Sequence, residues 1–562
     1  MKMIKSFVAA ALAVALPLIN AQATPEQVAS GNPIPGNYTG PLRPQVHFSP
    51  PAGFMNDPNG MFQDANGTWH LYYQYNPTAT VAGNQHWGHA SSQDLYTWIN
   101  QPIALAPINE SCYIFSGSAV VDVNNTSGFF PDQDNGVVAI FTIATYAPIL
   151  LQTQGLAYSK DGGYTFEMYA NNPVLDIGSS QFRDPYVIWY EDHWAMVIAY
   201  AQEYTIGIYT SPDLKSWTHA SNFSHHGLLG LQYECPNLVK VPVDGTDDSK
   251  YLLQISINPG APLGGSIAEY FLGDFDGQTF TTLDDATRIS DFGKDAYAGQ
   301  FFHGTDPNEA VVMNWASNWQ YTQQVPTGPQ EGWRSAMSVP HSVSVREIPR
   351  IGWIQVTRPY DLSPVLGDTL VQKTMGNGSL ALDFSDVSSN ALHVFINVTN
   401  IPTANLTGSM NFTFSSPISG EYLQCASFFG GDPAFAINRG NVRGFDNIYF
   451  TDKFSSSQVL GTTWSVEAIL DRSVLETFLD DGAYTGSTVF YPIEALTVMT
   501  FGVEGLPPGN MTVDVTVTGL KSTWEAQENE AGTVLGNVTA PSYPSNGTYA
   551  KRHGRVAYVP SF

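Results

Sequence analysis

Three short stretches of the sequence carry a carboxylate one or two residues before a proline: Asp57 in "MNDPNG", Asp184 in "FRDPYV" and Glu234 in "YECPN". Taken singly, each has a structural explanation. Asp-Pro-Asn-Gly is a strong turn signal, because proline presets one turn torsion and Asn and Gly tolerate positive φ. Asp184 could pair with Arg183, and Glu234 could be a charge at the rim. Carboxylates are also the groups that act as nucleophiles and proton donors, so the three together predict catalysis if the fold unites them.

Strand-like segments recur along the N-terminal part of the chain. They begin at Trp69, Gly136, His193, Lys250 and Glu309, about 60 residues apart. After the first four, a turn containing aspartate leads to an aromatic residue, which is a hairpin signal. Because another apolar segment precedes each of the five, the repeat predicts five units of four strands, a five-bladed β-propeller. The alternative is an all-β protein of another type with accidental spacing.

The propeller would bring the carboxylate motifs together. In that architecture the first strand of each blade lines the central channel, and the three motifs occupy first-strand positions in blades I, III and IV. Carboxylates that share a narrow channel repel one another and are costly to bury, so a purely structural role for all three is hard to justify. The pattern therefore favours a catalytic pocket on the propeller axis.

Composition agrees with a β-rich enzyme and argues against several partners. The 562 residues include 50 Gly, 37 Pro and 13% aromatic residues, a balance typical of turn-rich β proteins. The formal net charge is −27. A surface that acidic repels phosphate groups, so neither nucleic acid nor an anionic membrane is an expected partner. No cysteine or histidine group has metal-ligand spacing, so no metal and no cofactor is expected.

The chain divides into four predicted segments. Residues 1–23 have the basic start, apolar run and Ala-x-Ala site of a secretory signal peptide, so the protein is expected to be secreted, extracellular or cell-wall associated. The propeller is predicted for 24–360 and a β-sandwich for 361–525, while 526–562 lacks a core-forming period and is predicted to be a loosely ordered tail. Many Asn-x-Ser/Thr sequons predict a glycoprotein.

The motifs, taken in order, resemble glycoside hydrolase family 32, which contains the invertases and related β-fructosidases. The resemblance covers nearly the whole mature chain and is greatest to the fungal invertases. It rests on "FMNDPNG", "QYNP", "HWGHA", "FSGS", "FRDP", "YECPN", "ISINPGAP", "DFGKDAYA", "NWASNW" and "LDRSVLETFLDDG". The family's propeller and β-sandwich agree with the architecture predicted from the repeat.

The resemblance implies roles for individual residues. Asp57 would be the nucleophile, Glu234 the general acid/base, and Asp184 would hold sugar hydroxyls and stabilise the transition state, with Arg183 beside it. The first role needs an ionised carboxylate and the second a protonated one. Arg183 is expected to help keep a neighbouring carboxylate ionised, and the residues next to Glu234 predict an apolar setting that favours its protonated form.

Five further positions match residues that line the fructose pocket in the family. They are Asn56, Gln74, Phe115, Ser116 and Trp315. Without the resemblance, Trp315 reads equally well as a core residue, because aromatic residues in a propeller are usually buried.

One position departs from the family pattern. After "QYNP" the family usually has a Trp-Gly pair whose indole walls the pocket, but Ala82 stands at that place here. A nearby aromatic could compensate, or the pocket mouth could be wider and favour transfer to a sugar acceptor.

The resemblance implies a hydrolase of terminal β-fructofuranosides, chiefly sucrose, with small sugars as its partners. The sequence leaves open a dedicated fructosyltransferase, an exo-inulinase and, from another class, an inactive carbohydrate-binding propeller. The last would require loss of Asp57 or Glu234, and both are present. The oligomeric state is open, a homodimer being one option.

Overall fold

The computed structural model describes residues 34–349, 351–507, 509 and 511–524. The predicted signal peptide, 1–23, and the predicted tail, 526–562, lie outside these residues. Five sheets occupy the chain between residues 53 and 359, and two larger sheets follow between 366 and 520. The predicted all-β class, a five-bladed propeller followed by a β-sandwich, is confirmed, while the predicted boundaries at 360 and 525 stay predictions.

Each of the first five sheets is a blade whose strands pair antiparallel in chain order. Blade I consists of Gly53–Gln63, Trp69–Asn76, His86–Ser92 and Trp98–Leu105, with Trp333–Arg334 parallel to its first strand. Blade II consists of Cys112–Val121, Val137–Thr145, Leu151–Ser159 and Glu167–Met168; blade III of Phe182–Tyr190, His193–Tyr200, Thr205–Ser211 and Thr218–Ser224. Blade IV consists of Tyr233–Pro242, Ser249–Ile257, Ile267–Phe275 and Phe280–Thr282, with Arg288–Ile289 beside its third strand. Blade V consists of Tyr297–Phe301, Val311–Ala316, His341–Ile348 and Gly352–Pro359, with Ala336–Met337 beside its second strand.

The first strands of the blades form the axis of the propeller. Each contacts the first strand of the next blade, and the first strand of blade V contacts that of blade I, so the ring is closed. The first strands of blades I and V are nearly continuous in their burial, as expected for strands enclosed on both faces. Helix is scarce in the described residues: one α-helix, Thr327–Glu331, and two 3-10 turns, Ala201–Glu203 and Thr322–Gln324.

The β-sandwich packs two six-stranded antiparallel sheets face to face. One has the order Leu366–Met375, Thr512–Leu520, Ala391–Thr399, Thr463–Asp471, Val474–Leu479 and Tyr484–Val489. The other has the order Gly378–Asp383, Val498–Glu504, Ser409–Ser415, Tyr422–Phe428, Ala434–Asn441 and Lys453–Ser457. Alternate residues of these strands are buried, and side chains from both sheets form one apolar core.

Buried charges join the propeller to the β-sandwich. His47, which precedes blade I, contacts Asp471 and Glu476 at 2.9 and 3.0 Å. Arg439 of the sandwich pairs with Asp295, just before blade V, at 2.7 Å. All of these side chains are inaccessible to solvent, so the two parts are fixed by specific ionic contacts rather than by apolar packing alone.

Candidate active site

The first strand of every blade carries the same irregularity near its N-terminal end. Over this stretch the first strand advances by three residues while the second advances by two, which is a one-residue β-bulge. The bulges of blades I to V lie, in that order, at residues 55–58, 114–117, 183–186, 234–237 and 297–300. A bulge removes residues from the ladder and redirects their side chains. Five equivalent bulges therefore present side chains at one level of the central channel.

The second residue of the bulge has a left-handed backbone in three blades. Asp184, Cys235 and Ala298 have φ of 65°, 44° and 49°. Such values are unfavourable for residues with a Cβ, and they persist only where the surrounding structure enforces them. Residues of all five bulges, among them Pro58 and Ser116, line one small cavity together with these three.

Asp57 belongs to the bulge of blade I and is held by neutral donors. Its Oδ2 accepts a hydrogen bond from Ser116 Oγ at 2.7 Å, and its Oδ1 accepts one from Asn56 Nδ2 at 3.0 Å. Burial raises the pKa of Asp57, while the hydrogen bonds from Ser116 and Asn56 oppose that shift and the charge of Glu234 adds to it. The carboxylate is thus oriented by two neutral side chains, and among the described residues no cation donates a hydrogen bond to it.

Asp184 is bound to the next blade through the Cys235 backbone. The Cys235 N–H donates to Asp184 Oδ2 at 3.0 Å, and its thiol lies 3.6 Å from the same oxygen and 3.5 Å from Asp57 Oδ2. Burial raises the pKa of Asp184 to about 7; Arg183 lowers it, and the charges of Glu234 and Asp57 raise it further. One thiol therefore reaches both aspartates, which places the two carboxylates side by side.

Glu234 is held on both oxygens by polar groups. Arg183 donates to Oε1 from Nη2 at 2.9 Å and from Nε at 3.2 Å, and the Tyr297 hydroxyl donates to Oε2 at 2.5 Å. The predicted apolar setting of Glu234 is therefore wrong, because a guanidinium and a phenol fill it. Of the two neighbouring carboxylates, Arg183 donates hydrogen bonds to Glu234, whereas its Nε lies 3.9 Å from Asp184 Oδ2.

Three glutamines fix the position of Arg183. Its Nη1 donates to Gln181 at 2.8 Å and to Gln152 at 3.3 Å, and its Nη2 donates to Gln232 at 3.0 Å. Because its remaining donors are satisfied in this way, the guanidinium is fixed with one edge towards Glu234.

Three comparisons with known proteins bear on this arrangement. Residues 47–351 match the model of the glycosyl hydrolases family 32 N-terminal domain. An invertase from Schizosaccharomyces pombe is 39% identical over 87% of this chain and 87% of its own length, and an extracellular exo-inulinase from Meyerozyma guilliermondii is 41% identical over 80% of this chain and 90% of its own. A variant of the fructofuranosidase from Schwanniomyces occidentalis, complexed with fructosylnystose, superposes with a TM-score of 0.79 at 35% identity, covering 87% of this chain and all of that one.

The chain belongs to glycosyl hydrolase family 32. It is a glycoside hydrolase of the β-fructofuranosidase class.

Within this family 32 enzyme, the predicted pocket residues differ in their placement. Asn56 and Ser116 contact Asp57, as described. Gln74 is 2% exposed, and its Nε2 has no hydrogen-bond partner within the described residues, so a buried donor is left for a ligand hydroxyl. Phe115 is half-buried, and its carbonyl accepts the Trp87 indole N–H at 3.0 Å.

Trp315 is a buried residue of blade V. Its side chain is 0% exposed, and its indole N–H donates to the Met55 carbonyl at 3.1 Å. It packs edge-on against Tyr297 and beside Trp319 at a centroid distance of 4.8 Å. The indole therefore supports the strand that carries Asp57, while Trp319 is half-buried and nearer the surface. That Trp315 lines the fructose pocket stays a prediction.

Sequence reasoning gave no role to Tyr297 or to the three glutamines. A signal for Tyr297 was present, because it occupies in blade V the bulge position that Glu234 occupies in blade IV. The glutamines had no such signal, since each lies outside a bulge. Within the described part of the chain, no cluster of three or more His, Cys, Asp or Glu is placed to hold a metal ion, and no helix is long and apolar enough to cross a membrane.

Proposed function

We propose that this protein hydrolyses terminal, non-reducing β-D-fructofuranosides, chiefly sucrose, through a covalent fructosyl-enzyme with retention of configuration. The observation that carries the proposal is the contrast between two carboxyl groups at the same level of the channel. Asp57 accepts hydrogen bonds from neutral side chains and no cation, whereas Glu234 is held by Arg183 and Tyr297. Two carboxyl groups in unlike surroundings are what a nucleophile and a proton donor require, and the family resemblance assigns the first role to Asp57 and the second to Glu234.

In the first step, Glu234 gives its proton to the oxygen that joins fructose to the leaving sugar. The bond from that oxygen to the anomeric carbon breaks, and an oxygen of Asp57 bonds to the same carbon to give an ester. Ser116 and Asn56 fix the direction of the attacking carboxylate. In the second step, Glu234 takes a proton from water, the water oxygen bonds to the anomeric carbon, and Asp57 leaves as a carboxylate.

Asp184 would accept hydrogen bonds from two hydroxyls of the fructosyl ring, which strengthen as positive charge develops on the sugar. Its pKa of about 7 means that below neutral pH the three carboxyl groups carry fewer than three negative charges.

Two further properties belong to the proposal. The first is that the same intermediate passes fructose to a sugar acceptor at high sucrose. Ala82, where the family usually has tryptophan, supports this, because the residue is only partly buried and lies in the loop that follows the second strand of blade I. The second is secretion to the cell exterior or wall, which rests on the predicted signal peptide.

Exo-inulinase activity is the second candidate function, because an extracellular exo-inulinase is among the similar proteins. An NMR time course on sucrose tests the main proposal. Retention predicts β-fructofuranose as the first product, detected before mutarotation. The α-anomer appearing first would instead indicate a single displacement, which needs a carboxyl separation of about 6.5–9.5 Å rather than about 5–5.5 Å. Chromatography of products from concentrated sucrose measures hydrolysis against transfer.

A further inference from the structure

A groove lies where the outer face of one sandwich sheet meets blade V. It is lined on one side by residues of the strands Ala391–Thr399 and Thr463–Asp471. On the other side are Arg358, from the last strand of blade V, and the turn that contains Asp481. We name it the interdomain groove. Its volume of about 290 Å³ is close to that of the smallest ligand-binding pockets, about 300 Å³, so it has room for a sugar ring.

Asn397 lines this groove and belongs to a glycosylation sequon. Asn397-Val398-Thr399 has the Asn-x-Thr pattern that accepts N-linked glycans. Ile396 and Val398 are buried in the sandwich core, so the alternation of side chains along the strand directs Asn397 outwards. Because the amide that would receive the glycan is itself one of the groove-lining groups, the first sugar would start inside the groove and not on an open surface.

Phe395 gives the groove an apolar face beside the attachment point. It precedes Asn397 by two residues on the same face of the strand, so the two side chains start about 7 Å apart. The Phe395 ring is 40% exposed, so the described residues leave much of it uncovered. A sugar ring has an apolar C–H face that can cover an aromatic ring while its hydroxyls remain free to meet polar groups. The first sugar on Asn397 would therefore shield Phe395 from water.

Polar groups continue from Asn397 across the groove to the propeller. Asn397 pairs with Ser465 on the neighbouring strand, and Ser465 Oγ accepts the Asp481 N–H at 3.0 Å. Asp481 in turn pairs with Arg358 at 2.8 Å. The side chains of Asp481 and Arg358 are 64% and 29% exposed, so their remaining hydrogen-bonding capacity is open to sugar hydroxyls. A glycan that follows this row would contact both the β-sandwich and blade V.

We propose that Asn397 carries an N-linked glycan whose first sugar rings lie in the interdomain groove, where they cover Phe395 and join the β-sandwich to blade V. In the modification, Asn397 Nδ2 bonds to the anomeric carbon of the first sugar. The bond from that carbon to the pyrophosphate of a lipid-linked donor breaks, and the nitrogen gives up one proton. The inference goes beyond the proposed hydrolysis and rests on the proposed secretion, because N-linked glycans are added to exported chains.

The test uses the full-length protein secreted by a yeast host. Peptide:N-glycosidase F cleaves the bond between asparagine and the first sugar, and in heavy-oxygen water it leaves a labelled aspartate that peptide mass spectrometry locates. On the urea-unfolded protein the label should appear at Asn397. On the native protein Asn397 should be labelled at least about tenfold more slowly, because the groove shields the bond. The exposed Asn66 sequon should show a much smaller difference between the two states.

Two substitutions separate the glycan from its seat. Phe395→Ser keeps the sequon but removes the apolar face, so the slow labelling of native Asn397 should speed up towards the rate in the unfolded protein. Asn397→Gln removes the glycan and should lower Tm by about 2 °C, because Phe395 is then left exposed. Its kcat/KM for sucrose should stay at the wild-type value, since no residue of the groove belongs to the active site.

Asn411→Gln is the matched control. Asn411 is likewise half-buried, lies in mid-strand on the other sandwich sheet and begins the sequon Asn-Phe-Thr. Its strand neighbours are Ala426 and Gly502, which offer no aromatic face. Its substitution should therefore change Tm by less than Asn397→Gln does.

Three results would overturn the inference. An unlabelled Asn397 in a protein labelled at other sequons would leave the groove open to a soluble ligand instead. Equal labelling rates of Asn397 in the native and unfolded protein would place its glycan outside the groove. A chain that stays inside the cell without any glycan would refute the proposed secretion and the Asn397 site together, while its activity on sucrose would still test the proposed hydrolysis separately.

Discussion

Replacing His47 with glutamine should remove a buried positive charge that connects the propeller to the β-sandwich. The imidazole lies between two carboxylates, with Nδ1 at 2.9 Å from Asp471 and Nε2 at 3.0 Å from Glu476. Asp471 also accepts backbone N–H donors from residues 45–47, and Glu476 is shared with His341 at 3.0 Å. Glutamine has hydrogen-bonding groups of similar reach but cannot be protonated, so the substitution isolates the charge.

The shift in the pKa of His47 gives the size of the expected loss in folding free energy. Burial alone would lower that pKa, but the hydrogen bonds and charges of Asp471 and Glu476 raise it from 6.5 to about 9. The difference corresponds to about 3 kcal/mol of folding free energy. Because the folded-state pKa is the higher one, this stabilisation is complete below pH 6.5 and is lost as the pH rises through 9.

The loss of stability at low pH follows from the pKa of Glu476. Burial alone would raise the pKa of Glu476, but His341 and His47 have the larger effect and lower it from 4.5 to about 2. Its stabilisation is present above pH 4.5 and is lost as the pH falls through 2. The two effects describe one shared set of contacts and do not add, so the cluster should stabilise the protein most between pH 4.5 and 6.5.

Urea unfolding followed by tryptophan fluorescence is the suitable assay, because urea does not screen charges. At pH 5.5 His47→Gln should lower the unfolding free energy by about 3 kcal/mol. At pH 10, where His47 of the wild type has lost its proton, the deficit should largely disappear. His219→Gln, the same substitution at an exposed position, should cost little at either pH. An equal deficit of His47→Gln at both pH values would show that the buried charge is not the stabilising element.

Three predictions concern the active site. Asp57→Asn and Glu234→Gln should each lower kcat on sucrose at least about 10³-fold, and near-wild-type turnover of either variant would reject its role. Tyr297→Phe removes the hydroxyl that positions Glu234 while keeping the buried ring, so kcat should fall about tenfold with little change in KM; unchanged steady-state kinetics would make the hydroxyl dispensable. Ala82→Trp should lower the yield of oligosaccharide relative to free fructose at matched sucrose conversion, and an unchanged ratio in an active variant would separate Ala82 from the acceptor region.

The sequence predicted the elements that recur and missed the contacts that do not. The first strands of the five blades could be located because an apolar segment returns about every 60 residues and each is followed by a hairpin signal. That alone placed Asp57, Asp184 and Glu234 on one axis. The partner of Arg183 could not be predicted, because a side chain of that length reaches several neighbours, and only the glutamines around it decide that it turns to Glu234.

Trp315 and Trp319 show a second limit. Both belong to "NWASNW", and composition gives no reason to separate them. Trp315 lies on the second strand of blade V, where its indole packs beneath the first strand, and Trp319 follows the end of that strand, where it is only partly covered. The depth of a residue within a blade depends on which strand face meets the neighbouring blade. The alternation of apolar and polar residues along a strand does not show which face that is.

The repeated bulge explains how a regular sheet can hold this group of carboxylates. The backbone N–H of a strand residue normally donates to the neighbouring strand, but the bulged residues of the first strands are left out of that pairing. In blade III the N–H of Asp184 donates instead to Thr142 of blade II at 3.1 Å, and in blade IV the N–H of Cys235 donates to the Asp184 carboxylate. In these two blades the bulge thus frees a backbone donor that contacts a side chain of the adjacent blade. Because these donors are main-chain groups held by closure of the ring, the acidic residues keep their mutual placement although their charges repel one another.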